Sequence, residues 1–63
     1  MRRRVRTVAA NRLLILDDDP GVLSFLAEVG RERRYEVALT ATIDELQARY
    51  DSFNPTLIIL DLQ

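Results

Sequence analysis

The run Leu13-Leu14-Ile15-Leu16, ended at once by Asp17-Asp18-Asp19-Pro20, is the feature that most restricts how this chain folds. Four aliphatics in a row, bounded by polar residues and proline, suit a strand buried on both faces. Asp19 suits a helix N-cap and Pro20 the first helical position, so the strand passes directly into a helix. A similar pattern returns near the C-terminus as Leu57-Ile58-Ile59-Leu60-Asp61. If the two strands end at the same edge of one sheet, their acids form a negatively charged pocket.

The segments between complete an alternating order. Strands are expected over Arg12–Leu16, Glu36–Thr40 and Leu57–Leu60. The first helix should run from Pro20 to about Arg34, with Val22, Phe25, Leu26 and Val29 as its buried stripe and Leu23 widening it. Gly30 within that pattern marks close packing against the sheet. Thr42-Ile43-Asp44-Glu45 is a capping box in which Glu45 can reach back to the cap. The helix it opens carries Ile43, Leu46, Tyr50 and Phe53 on one side and ends at Asn54-Pro55, because a residue before proline leaves helical geometry. The order β-α-β-α-β implies a parallel sheet with right-handed helical crossovers.

Composition narrows the chemistry. The chain has 63 residues and neither Cys nor His, which removes disulfides, Cys/His metal sites and Cys- or His-based catalysis. A bound metal must therefore be held by oxygen, which favours a hard ion such as magnesium. Residues 1–12 hold five arginines and no acid, whereas residues 13–63 hold four arginines and ten acids. Residues 1–11 are read as a basic, solvated arm; contact with nucleic acid or an acidic partner is the sharper alternative, without an accompanying aromatic or base-reading pattern. The longest aliphatic runs have four residues, far short of a membrane span.

In a doubly wound sheet, ligands sit beyond the carboxyl ends of the strands where strand order reverses. If the first and third strands are neighbours, Asp17, Asp18 and Asp61 converge there. Carboxylates that close repel, so either one pKa rises or a cation intervenes. A free carboxylate beside such a cation can act as a nucleophile toward phosphorus.

Leu13-Leu14-Ile15-Leu16-Asp17-Asp18-Asp19-Pro20 and Pro55-Thr56-Leu57-Ile58-Ile59-Leu60-Asp61-Leu62-Gln63 resemble the first and third strand signatures of response-regulator receiver domains. The resemblance covers about residues 12–63, read as a partial receiver domain. It implies a flavodoxin-like α/β sheet truncated to β-α-β-α-β with strand order 2-1-3. It also implies that Asp61 is the phosphoacceptor and Asp18 a direct Mg2+ ligand, with Asp17 acting largely through water. On the same likeness the main-chain carbonyl of Gln63 would be a further ligand and a histidine kinase the phosphodonor. A cytoplasmic location, and nucleic-acid contact only through an output domain outside these residues, follow from the same likeness. The sequence departs from the family in having no Lys and none of the later strands that bring a Ser or Thr and a Lys to the pocket. Thr56 also replaces the usual acid after the proline.

Two other readings stand beside this one. Asp17-Asp18-Asp19 also resembles the Asp-x-Asp of haloacid-dehalogenase-type phosphotransferases, with Asp17 as nucleophile and Asp19 as acid/base, although Pro20-Gly21 replaces the usual Gly-Thr. The other is a non-catalytic interaction module. An apolar third strand with an open edge further leads to an expectation of self-association, by strand exchange or edge pairing.

Overall fold

The computed structural model describes residues 11–61. Within them the chain runs β1 (Asn11–Leu16), α1 (Pro20–Glu32), β2 (Tyr35–Thr40), α2 (Ile43–Phe53) and β3 (Leu57–Leu60). All pairings are parallel and the sheet order is β2-β1-β3. This is the expected α/β arrangement, a flavodoxin-like sheet with strand order 2-1-3. The basic arm falls almost wholly outside the described residues; Asn11, assigned to it from sequence, instead opens β1.

β1 is central: it pairs with β2 on one side and β3 on the other, so its four aliphatics have a strand along each edge. Leu13, Leu14, Ile15 and Leu16 are all buried, and Leu14 and Ile15 are fully so. Full burial of one such side chain is worth about 1.5–3 kcal/mol. Strand alternation splits the four between two faces. Leu13 and Ile15 face α1. Leu14 and Leu16 share the other face with Ala38 and Thr40, under α2. The Thr40 hydroxyl donates to the Ile15 carbonyl at 2.7 Å, so this buried polar group is satisfied.

α1 meets the sheet through small residues. Ala27 and Gly30 are its buried positions, with Leu23, Leu26 and Val29 half-buried. The expected stripe is therefore rotated: Val22 is 36% exposed and Phe25 62%. The cause is steric. A Cβ on Gly30 would lie 3.0 Å from both Leu13 Cδ2 and Val37 Cγ2, so the helix settles where it has no side chain and turns its larger residues to the flank. Gly30→Val should destabilise the fold by about 3 kcal/mol in urea unfolding, since Leu13 is itself buried and has nowhere to move. A neutral substitution would show that the helix can lift off the sheet freely.

The helix ends also differ in detail from expectation. α1 stops at Glu32, and Arg34 adopts a left-handed conformation at φ 68, which turns the chain into β2 one residue early, at Tyr35. Asn54 leaves helical geometry as expected, but into the left-handed region (φ 54), which asparagine tolerates. Thr42 caps α2 by accepting from the Glu45 amide at 3.2 Å, while Glu45 reaches past the cap to the Ala41 amide at 2.7 Å.

α2 has no buried residue. Leu46 and Phe53 are half-buried, whereas Ile43 and Tyr50 of its expected apolar side are exposed. Both helices pack over β1 and β2, and neither lies over β3.

Candidate functional site

The register of β3 on β1 decides where the acids fall. Leu13 pairs with Leu57 and Leu16 with Leu60, so Asp17 and Asp61 occupy the next rung. The Asp61 amide donates to the Leu16 carbonyl at 2.9 Å and the Asp17 amide to the Thr40 carbonyl at 3.1 Å. Both aspartates are thus tied by their backbones to the carboxyl edge of the sheet.

The register is pinned at the opposite rim by Thr56. Its hydroxyl accepts from the Arg12 amide at 2.9 Å and donates to the Arg12 carbonyl at 3.2 Å. Its own amide donates to that carbonyl at 2.8 Å. Arg12 also sends its Nε to the Asn54 carbonyl at 2.7 Å. The sequence shows Thr56 only as a replacement for the acid usual after the proline. Its position immediately before an apolar run was the available signal for a strand-start clamp.

At the acidic rim, Asp17, Asp18, Asp19, Val22 and Asp61 line an open cleft of about 420 Å3. Asp17 is buried, Asp61 half-buried, and Asp18 and Asp19 exposed. Asp19 acts as the cap expected of it: its Oδ1 accepts from the amides of Gly21 (2.8 Å) and Val22 (3.4 Å). Its own amide donates to Asp17 Oδ1 at 2.9 Å. Val22, read from sequence as core, is instead a wall of the cleft, because it follows the cap within the first helical turn. The Gln63 carbonyl lies outside the described residues.

Asp61 lies close enough to Asp17 for its carboxyl group to act on that of Asp17. Carboxyl groups that close favour the state in which one of them carries a proton. The Asp19 amide pulls the Asp17 pKa down, but burial, the bond to Asp61 and the charges of Asp61 and Asp18 together outweigh it. The net effect holds Asp17 above the ordinary aspartate value.

A raised acid pKa means that the folded state binds this proton more tightly than the unfolded state. The resulting stabilisation is complete below the unfolded pKa and is lost as pH rises through the folded one. Asp17→Asn keeps an oxygen for the Asp19 amide while removing the ionisation. In chelator, its stability relative to wild type should therefore rise with pH, from the ordinary aspartate range to above the raised Asp17 value. Urea midpoints across that window check this; a difference that stays flat or shrinks with pH would refute the raised Asp17 pKa.

The donor set is all oxygen, which is the chemistry of a hard divalent cation. Among the described residues no three acidic side chains converge as a ready-made ligand cluster. Magnesium does not require one, because it binds through one or two carboxylates and retains several waters. A cation would relieve the repulsion that helps raise the Asp17 pKa, so the residues present fit it. Comparison with family profiles, curated proteins and solved structures finds no match to this chain.

Proposed function

We propose that this chain is a phosphoryl-accepting signalling domain of the receiver type, with Asp61 as acceptor. The observation that carries this reading is the register-adjacent, mutually repelling pair Asp17–Asp61 at the mouth of an open cleft that also exposes Asp18. The donor is a phosphohistidine of a kinase: an Asp61 carboxylate oxygen forms a bond to phosphorus as the P–N bond breaks. The imidazole leaves with the bonding electron pair and takes up a proton. The product is an acyl phosphate on Asp61.

The cleft is wide and unroofed enough for a protein-borne phosphoryl group, consistent with an acceptor that works with a partner macromolecule. Asp18, Asp17, Asp61 and the Gln63 carbonyl would hold magnesium, which supplies neutralisation of charge on the phosphoryl oxygens. That contribution matters more here than in a receiver with a pocket lysine, since these 63 residues contain none. Asp19 is committed to capping α1, which weighs against the phosphotransferase alternative, where it would act as acid/base.

Incubation with phosphoramidate and magnesium tests the proposal. The expected result is a hydroxylamine-labile phosphate on the chain that fails to form in chelator. No incorporation at saturating donor would overturn it. Magnesium titration without binding would favour the interaction-module reading.

A further inference from the structure

We infer that the amino rim of the sheet, together with the arginine-rich segment leading into it, is a surface for the phosphate backbone of double-stranded nucleic acid. This goes beyond the proposed phosphoryl transfer and does not rest on it. β1 and β2 are parallel with Asn11 paired to Tyr35, so both begin at this rim. Arg33 and Arg34 directly precede β2, and Arg31 lies in the last turn of α1; all three are exposed. Arg12, the second residue of β1, donates from Nε to the carbonyl of Asn54, the C-cap of α2, at 2.7 Å. That bond ties the end of α2 to the same rim. Arg49, four residues before that end, sits with its guanidinium 5.6 Å from the centre of the Phe53 ring. The arginines of the described residues thus gather where the segment carrying Arg2, Arg3, Arg4 and Arg6 joins the sheet. Sequence alone shows a basic arm; the fold adds five cations at its point of entry.

Local structure accounts for only part of this charge. The C-termini of α1 and α2 both end here and favour cations, but each offers only about half a negative charge. Glu28, Glu32, Glu36 and Asp51 are the acids on this side of the fold. Set against all nine arginines, they leave an excess of about four positive charges. The chain's net charge of −1 does not cancel that excess. The other acids, Asp17, Asp18, Asp19, Asp44, Glu45 and Asp61, lie at the opposite rim, about 20 Å away along β1. That is more than twice the Debye length of about 8 Å at physiological salt. A polyanion at the amino rim therefore meets the arginines and is screened from the acids.

Charge density and residue type select the partner. A duplex presents one negative charge per about 1.7 Å of its length. An extended acidic peptide reaches at most one per about 3.4 Å. The consecutive runs Arg2-Arg3-Arg4 and Arg33-Arg34 suit the denser array. Every basic residue of the chain is arginine, the cation whose planar fork grips phosphate oxygens in pairs. A lipid surface is held best when apolar side chains insert beside the charge, and Val5 and Val8 are the only branched aliphatics among residues 1–10. Those ten residues also contain no Asn, Gln or aromatic residue to read bases, so binding should not depend on base sequence.

Fluorescence anisotropy of the full chain with labelled duplexes of about 20 base pairs, DNA and RNA in two unrelated sequences each, tests the inference. Chelator is present throughout, so that no cation in the acidic cleft can bridge phosphate. Dissociation constants of about 1–100 μM are expected near physiological salt. For about four phosphates the affinity should fall about 150-fold between 50 and 200 mM salt, a logarithmic slope of about −3.6. Arg31→Gln with Arg33→Gln should halve that slope, and Gln at positions 2, 3, 4 and 6 should remove most of it. Far-ultraviolet circular dichroism checks that both variants keep the fold. Binding to either duplex type supports the inference and names the source of the backbone. No binding at about 0.1 mM chain in about 50 mM salt would overturn it. So would a slope that the Arg31 and Arg33 changes leave untouched, or tighter binding to polyglutamate or phosphatidylserine vesicles at equal anionic charge. None of these results depends on whether Asp61 accepts phosphate.

Discussion

Replacing Leu14 with alanine should leave much of the chain unfolded at room temperature. Leu14 is fully buried in the central strand, on the face beneath α2. Truncating a buried leucine costs about 2–5 kcal/mol, the higher values arising where the surroundings cannot close over the cavity. Here they are poorly able to do so, because β1 is hydrogen-bonded on both sides and its position is fixed by both ladders. A single core in a chain this small rarely supplies more than about 3–5 kcal/mol. Cost and total are therefore of the same size. Phe25→Ala removes a larger side chain but one that is 62% exposed, and should cost under about 1 kcal/mol. Urea transitions followed by far-ultraviolet circular dichroism compare the two. A cooperative Leu14→Ala transition close to wild type, or a Phe25→Ala protein that is the less stable of the pair, would contradict this account of the core.

The contrast between those residues also marks what the amino-acid order made readable. β1 and β3 were legible because each is an aliphatic run with an abrupt acidic end, a pattern that few other elements produce. The caps at Asp19 and Thr42 were legible because they depend on neighbours within four residues. The face of α1 was not. A hydrophobic stripe is found by counting large apolar side chains, and α1 seats itself on Ala27 and Gly30, which that count undervalues. The separation between Leu13 and α1 is set by the absence of a side chain, and absence has no periodicity. The exposed positions on α2, Ile43 and Tyr50, were misjudged for a related reason: whether an apolar face is covered depends on how much sheet lies beneath it, which is a property of the assembled fold.

Within the candidate site, sequence spacing brought Asp17, Asp18 and Asp61 to the same strand ends, and the parallel register makes two of them neighbours. The raised Asp17 pKa follows from the sequence only as a general consequence of crowded acids. That it falls on Asp17 reflects the opposing pull of the Asp19 amide being outweighed by burial and by Asp61 and Asp18, and this balance does not follow from position in the chain alone. Thr56 belongs with this group. Its clamp on Arg12 lies at the far end of β3, yet a one-residue slip there would send the Asp61 side chain to the other face of the sheet.

Asp61→Asn should abolish phosphate incorporation, whereas Asp17→Asn should retain it at a higher magnesium requirement. The two residues sit on the same rung, so proximity to the cleft cannot separate them; their roles can. An asparagine at position 61 offers an amide in place of a carboxylate, and with it the proposed nucleophile is lost, so the label should fall to background. At position 17 the same change removes a charge that, on the proposed function, would help hold the cation through water, and outer partners of this kind alter metal affinity by about 10–100-fold. The magnesium concentration for half-maximal labelling should rise accordingly while saturating magnesium restores the reaction. Asp17→Asn also relieves like-charge repulsion in the absence of metal, so the less reactive protein should be the more stable one in chelator at neutral pH. That opposition between stability and reactivity is the signature of a cluster held together for charge rather than for packing. Label that survives Asp61→Asn and disappears with Asp17→Asn would reverse the assignment and make Asp17 the nucleophile, as in the phosphotransferase alternative.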